Sequence, residues 1–174
     1  GVAAPLIEAQ GPQAGVIRDF PSVLTIGSME DGELAGRLRD GLRAAQIPCW
    51  NVAADDEAGI QSGATILAHT VYFDRLVLLC TAPALESPQT RRYMSELAGG
   101  KGPESRRNII SLAAGTLFDH SQDGLCAILR EGTVVDFRGW EEEGVFETAV
   151  ATLVNVLSGR ERDMTGRHIH KGRR

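Results

Sequence analysis

Three stretches of the chain concentrate residue types that do chemistry. Gly27-Ser28-Met29-Glu30-Asp31-Gly32 puts a hydroxyl and two carboxylates in one turn, and Asp55-Asp56-Glu57 is a second acidic run. Ser87 to Glu96 combines hydroxyls, Tyr93, the pair Arg91-Arg92 and a carboxylate. An acidic pair after a first strand suits a phospho-acceptor site, which needs an Asp ending the third strand and a Lys ending the fifth. The corresponding segments offer Thr81 and Gly139, so that chemistry is set aside. The first turn has neither G-x-G-x-x-G nor G-K-[ST] to cradle a dinucleotide or triphosphate, and no Ser sits in a G-x-S-x-G elbow. His69 falls in a helix, His120 in a loop, and His168-Ile169-His170 in a basic tail, so no metal site is expected. Cys49, Cys80 and Cys126 are an odd count at wide spacings and read as reduced core residues of a cytoplasmic protein.

The elements that must position these groups follow from periodicity. Ser22-Val23-Leu24-Thr25-Ile26 is a β-branched run stopping at Gly27, which predicts a strand with the first acidic turn at its end. Leu34, Leu38 and Leu42 recur every four residues among Arg37, Arg39 and Asp40, which predicts an amphipathic helix. Ile47-Pro48-Cys49-Trp50 reads as a brief strand whose Pro marks a start or an edge. Asn51 to Gly59 follows as an acidic loop, and a helix over about 60–72 has Ile66 and Thr70 inward. Leu76-Val77-Leu78-Leu79-Cys80 is the most apolar run, as a central parallel strand covered on both faces requires. Ser87 as N-cap and Pro88 at the first helical position open a helix near 87–98. Asn108 to Leu112 and Thr133 to Phe137 read as two more strands, and Phe146 to Leu157 as a closing helix with Val150, Val154 and Leu157 inward. Strands alternating with helices, without a hairpin dipeptide between neighbours, predict an α/β doubly wound, flavodoxin-like fold with a five-stranded parallel sheet. Ligands gather at the carboxyl ends of such strands, here the loops after Ile26, Trp50, Cys80, Leu112 and Phe137.

At 174 residues the chain suits one domain, and 43% hydrophobic with 24% charged residues excludes a disordered or collagen-like chain. No run approaches the roughly 20 apolar residues of a membrane helix. The net charge of −5 is unevenly divided: residues 160–174 hold six basic and two acidic groups, so the tail is +4 and the rest −9. An acidic body argues against a nucleic-acid-binding face, which needs clustered Lys and Arg. Residues 1–21 read as an arm or linker, 22–159 as the domain and 160–174 as a basic tail leading out of it. A start at Gly1 rather than Met points to a processed chain or a piece of a longer one.

Five segments in order carry a more specific signal. Ser28 and Asp31 keep the spacing of a Ser-Tyr-Ser-x-x-Asp turn, with Gly27 in the Tyr place, and Gln46-Ile47-Pro48-Cys49-Trp50 forms a short segment ending on Trp. Asp55 and Gly59 mark the acidic loop Asn51 to Gly63, Asp74-Arg75 leads into the apolar third strand, and Asp136-Phe137-Arg138-Gly139-Trp140 precedes the last helix. Read from Val23 to Leu157, about three quarters of its length, the chain resembles a bacterial TIR (Toll/interleukin-1 receptor) domain.

That resemblance implies two readings. TIR enzymes cleave NAD between nicotinamide and ribose through an oxocarbenium-like transition state, which needs a carboxylate beside the ribose, as in glycosidases. In the family this is a Glu on the third helix, within S-x-W-x-x-x-E. Along Ser87 to Tyr93, Gln89 takes the place of the Trp and Tyr93 that of the Glu. A Tyr with a pKa near 10 is neutral at pH 7, which implies a catalytically weak or inactive signalling module acting through TIR–TIR association. The alternative is an NAD glycohydrolase or cyclase in bacterial immunity or virulence, with Glu96 as a rescue about one turn on and on the same helical face. A third reading is a module that senses an NAD-derived signal without turning it over. The candidate catalytic residues are therefore Tyr93 and Glu96, and the candidate ligand-binding residues Ser28, Trp50 and Asp55. Each has a plainer reading: Ser28 as an N-cap, Trp50 in packing, Glu96 and the acidic loop as solvated charge. The sharper reading of Asp55-Asp56-Glu57 is a self-association contact, with Arg91 and Arg92 as partners across an interface. Trp140 is assigned a structural role at the last strand–helix junction. No cofactor is required; NAD is a substrate or ligand, and the partners are other TIR domains, not nucleic acid or membrane.

Overall fold

Unbroken apolar runs with polar, Gly-rich exits favour parallel strands buried on both sides, and the computed structural model contains five. It describes residues 21–55, 73–99 and 108–159. The arm before them, Asp56, Glu57 and Gly59, the helix read over about 60–72 with Ile66, His69 and Thr70, and the basic tail lie outside the described residues.

In chain order the elements are β1 (Val23–Gly27), a 3-10 turn (Met29–Asp31), α1 (Gly32–Ala44), β2 (Cys49–Ala53), β3 (Arg75–Cys80), α2 (Ala82–Glu86) and α3 (Pro88–Ala98). They continue as β4 (Ile109–Ala113), α4 (Thr116–His120), α5 (Gly124–Glu131), β5 (Thr133–Asp136) and α6 (Glu143–Leu157). The sheet order is β2-β1-β3-β4-β5, every neighbouring pair parallel, which is the flavodoxin-like arrangement. β3 lies at the centre, as its unbroken apolar run requires.

Because successive strand residues point to opposite faces, the core divides in two. Leu24, Ile26, Leu76, Leu78 and Cys80 pack with α2, α3, α4 and α5 residues such as Met94, Phe118 and Leu129. Val23, Val77, Leu79, Ile110 and Leu112 pack with Leu34, Leu38 and Leu42 of α1 and with Phe146, Ala149 and Leu153 of α6. The predicted α1 stripe and the Ser87 and Pro88 start of α3 are present, the Ser87 hydroxyl accepting from the Thr90 amide at 3.2 Å. All three cysteines are free and buried, and burial pushes the Cys80 thiol well above its ordinary range.

Several boundaries differ from the sequence reading. β2 begins at Cys49 and runs through Asn51 and Val52 to Ala53, although Asn and Ala are poor strand formers. Its register against β1 holds it: Thr25 pairs with Asn51 and its hydroxyl bonds the Asn51 side chain, whose amide in turn donates to the Ala35 carbonyl. Ile47 lies before the strand, its amide donating to the Leu42 carbonyl as α1 ends. The closing helix starts at Glu143 and buries Phe146, Ala149, Leu153, Val156 and Leu157, while Val150 and Val154 only flank the core. Helices α2, α4 and α5 are absent from the sequence reading. A clue to α5 was available in Asp123, which caps it by accepting from the Cys126 amide at 2.9 Å ahead of Leu125, Cys126 and Leu129. Among the described residues, no helix is long and apolar enough to cross a membrane.

Candidate functional site

At the carboxyl edge of the sheet, β1 ends on Gly27 and the next four residues fold into a capping box. The Ser28 hydroxyl accepts from the Glu30 amide at 3.2 Å, and Asp31 Oδ2 accepts from the Ser28 amide at 2.8 Å. The plainer reading of Ser28 is therefore correct. Its hydroxyl proton has a second use, donating to Asp55 Oδ2 at 2.8 Å, while Asp55 Oδ1 accepts from the Met29 amide at 2.8 Å. The structure thus brings the candidate ligand-binding residues Ser28 and Asp55 together, but against each other.

Asp31 is 5% exposed, and its second oxygen accepts from the Thr81 hydroxyl at 2.8 Å. Thr81 also caps α2 by accepting from the Ala84 amide at 3.1 Å. One interlocked cluster of Ser28, Asp31, Asp55 and Thr81 therefore joins the exits of β1, β2 and β3. Sequence reading missed Thr81 as a site residue; its signal was a Thr followed by Ala-Pro at the first helical positions.

Burial raises the Asp31 carboxyl above its ordinary pKa, with the Asp55 and Glu30 charges adding, against opposing bonds from Ser28 and Thr81. A carboxyl raised by folding stabilises the fold while protonated, and that contribution is lost as pH rises through its folded value. Asp31→Asn fixes the group neutral and removes this dependence. Urea unfolding at pH 4 and pH 7 should show the wild type losing stability relative to the variant on going to pH 7. An unchanged difference between the two proteins would contradict the assignment.

The remaining candidates are scattered. β2 continues three residues past Trp50, so Trp50 stands about 10 Å from the carboxyl edge at ~3.3 Å per residue, not at a strand end. Its ring meets Phe73 edge-on with centroids 5.5 Å apart and packs on the core. On α3 the inward face is Thr90, Tyr93, Met94 and Ala98, and Tyr93 is only 8% exposed. Glu96 does not share that face. At about 100° per residue, it is turned about 60° from Tyr93, away from Met94 and Ala98. It is exposed, with its carboxylate 3.6 Å from Arg92. Arg91 is engaged within the chain, holding Asp123 at 3.2 Å and the Leu85 carbonyl at 3.2 Å. Bonds from the Ser121 hydroxyl, the Cys126 amide and Arg91 hold the Asp123 carboxyl well below the usual carboxylate range.

The exit of β5 carries a second cluster. Arg138 clamps Asp136 with two bonds of 2.8 Å and reaches Asp119 on α4. Burial raises the Asp136 carboxyl, but the Arg138 bonds outweigh it and leave it below its ordinary value. Between this exit and α6 runs an open groove of about 440 Å³ lined by Asp136, Arg138, Glu142, Val145, Thr148 and Thr152. The two threonine hydroxyls donate back to the Gly144 and Thr148 carbonyls, so the polar lining is largely engaged. Trp140 has the structural role assigned to it: Arg37 lies 5.5 Å over its ring and donates to its carbonyl at 3.3 Å, tying α1 to the last junction.

No family model matches the chain, and no curated protein matches its sequence. What the edge offers chemically therefore has to be read from the groups themselves. Among the described residues, Asp31, Asp55, Asp119, Asp123 and Asp136 are all engaged by hydrogen bonds from hydroxyls, amides or arginines. No group of three or more His, Cys, Asp or Glu among the described residues is arranged to hold a metal ion. These carboxylates fix loops and helix starts.

Proposed function

We propose that the chain is a TIR-type signalling module that acts through association with other TIR domains and has weak or no catalysis of its own. The observation that carries this reading is the state of α3. Where the family pattern has a catalytic Glu, Tyr93 is buried in the core, and the next carboxylate, Glu96, is exposed beside Arg92. A preorganised electrostatic group contributes about 10² to 10³ in rate, and catalysis is sensitive to misplacements of about 1 Å. A carboxylate on another face of the helix does not supply that. The strand order and the engaged Ser28 and Asp55 fit a rigid edge serving as a contact surface.

Purified protein mixed with NAD, at concentrations high enough to permit self-association, should release no nicotinamide above the buffer rate. Turnover that disappears in Glu96→Gln would overturn this reading in favour of an NAD glycohydrolase with a rearranged site.

A further inference from the structure

The groove between the β5 exit and α6 is built from two unlike parts. On the helix side Val145 and Ala149 line it, and the Thr148 and Thr152 hydroxyls are spent on the Gly144 and Thr148 carbonyls, so that wall is largely apolar. Glu142 also lines it, and Glu141, Glu143 and Glu147 are next to lining residues in the chain, all four exposed. The helix dipole favours acid in the first turn, which accounts for Glu142 and Glu143 but not for Glu147 a turn further on. Arg138 is the one cation in the lining, and it is committed to Asp136 and Asp119. Among the described residues, none of the four glutamates is ion-paired.

The chain itself carries the complement. At about 100° per residue, the stripe of Gly144, Thr148 and Thr152 continues past Asn155 to Gly159. There a φ of +76° ends the helix and turns the chain off its axis. The basic tail follows from that point, on the groove's side of α6, with six basic groups against two acidic ones. From Gly159 back to Glu142 is about 25 Å at roughly 1.5 Å per helical residue, a distance that about eight extended residues span. The fifteen residues from 160 to 174 are therefore long enough to run the groove antiparallel to α6. Met164 and Ile169 bring apolar side chains to its helix wall, and the arginines bring charge opposite to that of the glutamates.

We infer that the groove is the docking site of the chain's own basic tail, residues 160–174, held there by Glu142 and Glu147. The docking does not depend on the TIR reading. Trypsin digestion of the full chain at low salt, followed by mass spectrometry, reads it through the bond after Arg167, with a synthetic peptide of residues 160–174 as the unprotected reference. Cleavage in the full chain should be about tenfold slower than in the peptide, as for a tail docked roughly nine-tenths of the time. Glu142→Gln combined with Glu147→Gln should raise the rate to that of the peptide while cooperative unfolding is retained. Salt at about 0.5 M should do the same, relative to the peptide at that salt, because the pairs are exposed and screened. Equal rates in the wild type and the peptide, or protection that survives the double substitution, would overturn docking in this groove. Protection that grows with protein concentration would overturn docking within one chain and place a second copy's tail there instead.

Discussion

Gly27→Ala should destabilise the protein by about 1–3 kcal/mol, the usual cost of overpacking a core, or roughly 2–12 °C in unfolding midpoint for a domain of this size. Gly27→Tyr should abolish the cooperative unfolding transition. A Cβ on Gly27 would stand 2.9 Å from Leu79 Cδ1, 3.3 Å from Leu79 Cβ and 3.0 Å from Asp31 Oδ2. Neither neighbour can yield cheaply. Leu79 is 1% exposed on the central strand, and the Asp31 oxygen is the acceptor that closes the capping box. A Tyr at this place, as the resemblance to a TIR turn would have it, is therefore sterically excluded by this core. Thermal unfolding checks it; a wild-type midpoint in Gly27→Tyr would mean that Leu79 and the Ser28 turn move aside together.

Tyr93→Glu, which puts a carboxylate where the proposed TIR reading expects one, should leave nicotinamide release at the buffer rate and lower the unfolding midpoint by roughly 10 °C. Position 93 is 8% exposed and belongs to the same core cluster as Leu85, Met94 and Ala98. A buried Glu is raised by up to about 3–5 pKa units. At about 1.4 kcal/mol per unit, keeping it ionised at pH 7 costs on the order of 4 kcal/mol. The new group is then either protonated, and of no use to a cationic transition state, or charged in an unfolding protein. Tyr93→Gln, neutral and of the size of Glu, should lose less stability than Tyr93→Glu, which separates the charge from the change of side chain. If Tyr93→Glu gained turnover that Tyr93→Gln lacked, the surrounding pocket would be intact and only its carboxylate missing, contrary to the burial argument.

Both variants show why the site was only partly legible. Under the proposed TIR reading, the S-x-W-x-x-x-E spacing points to position 93, and helical geometry puts Glu96 about one turn further on. Which side of α3 faces the sheet depends on Thr90, Met94 and Ala98 meeting the strands, and that turned Tyr93 inward and Glu96 out. In the sequence the acidic loop begins at Asn51, which makes Trp50 a strand end; pairing of Asn51 with Thr25 and of Ala53 with Gly27 extends the strand against propensity. Helices α2, α4 and α5, of five, five and eight residues, are too short for periodicity to show.

By itself the sequence determined the local and periodic features: the five-stranded parallel sheet with Leu76 to Cys80 at its centre, the Leu34, Leu38 and Leu42 stripe, the Ser28 and Ser87 caps and the reduced cysteines. These rest on hydrophobic burial and capping, whose signals lie within one element. Tertiary structure alone decided that Asp31 meets Thr81 and Asp55 meets Ser28. Those partners are 50 and 27 residues apart, and only strand order and register bring them to one edge. A carboxylate reads the same in sequence whether it is free to act or spent on holding a turn; the donors around it make that difference.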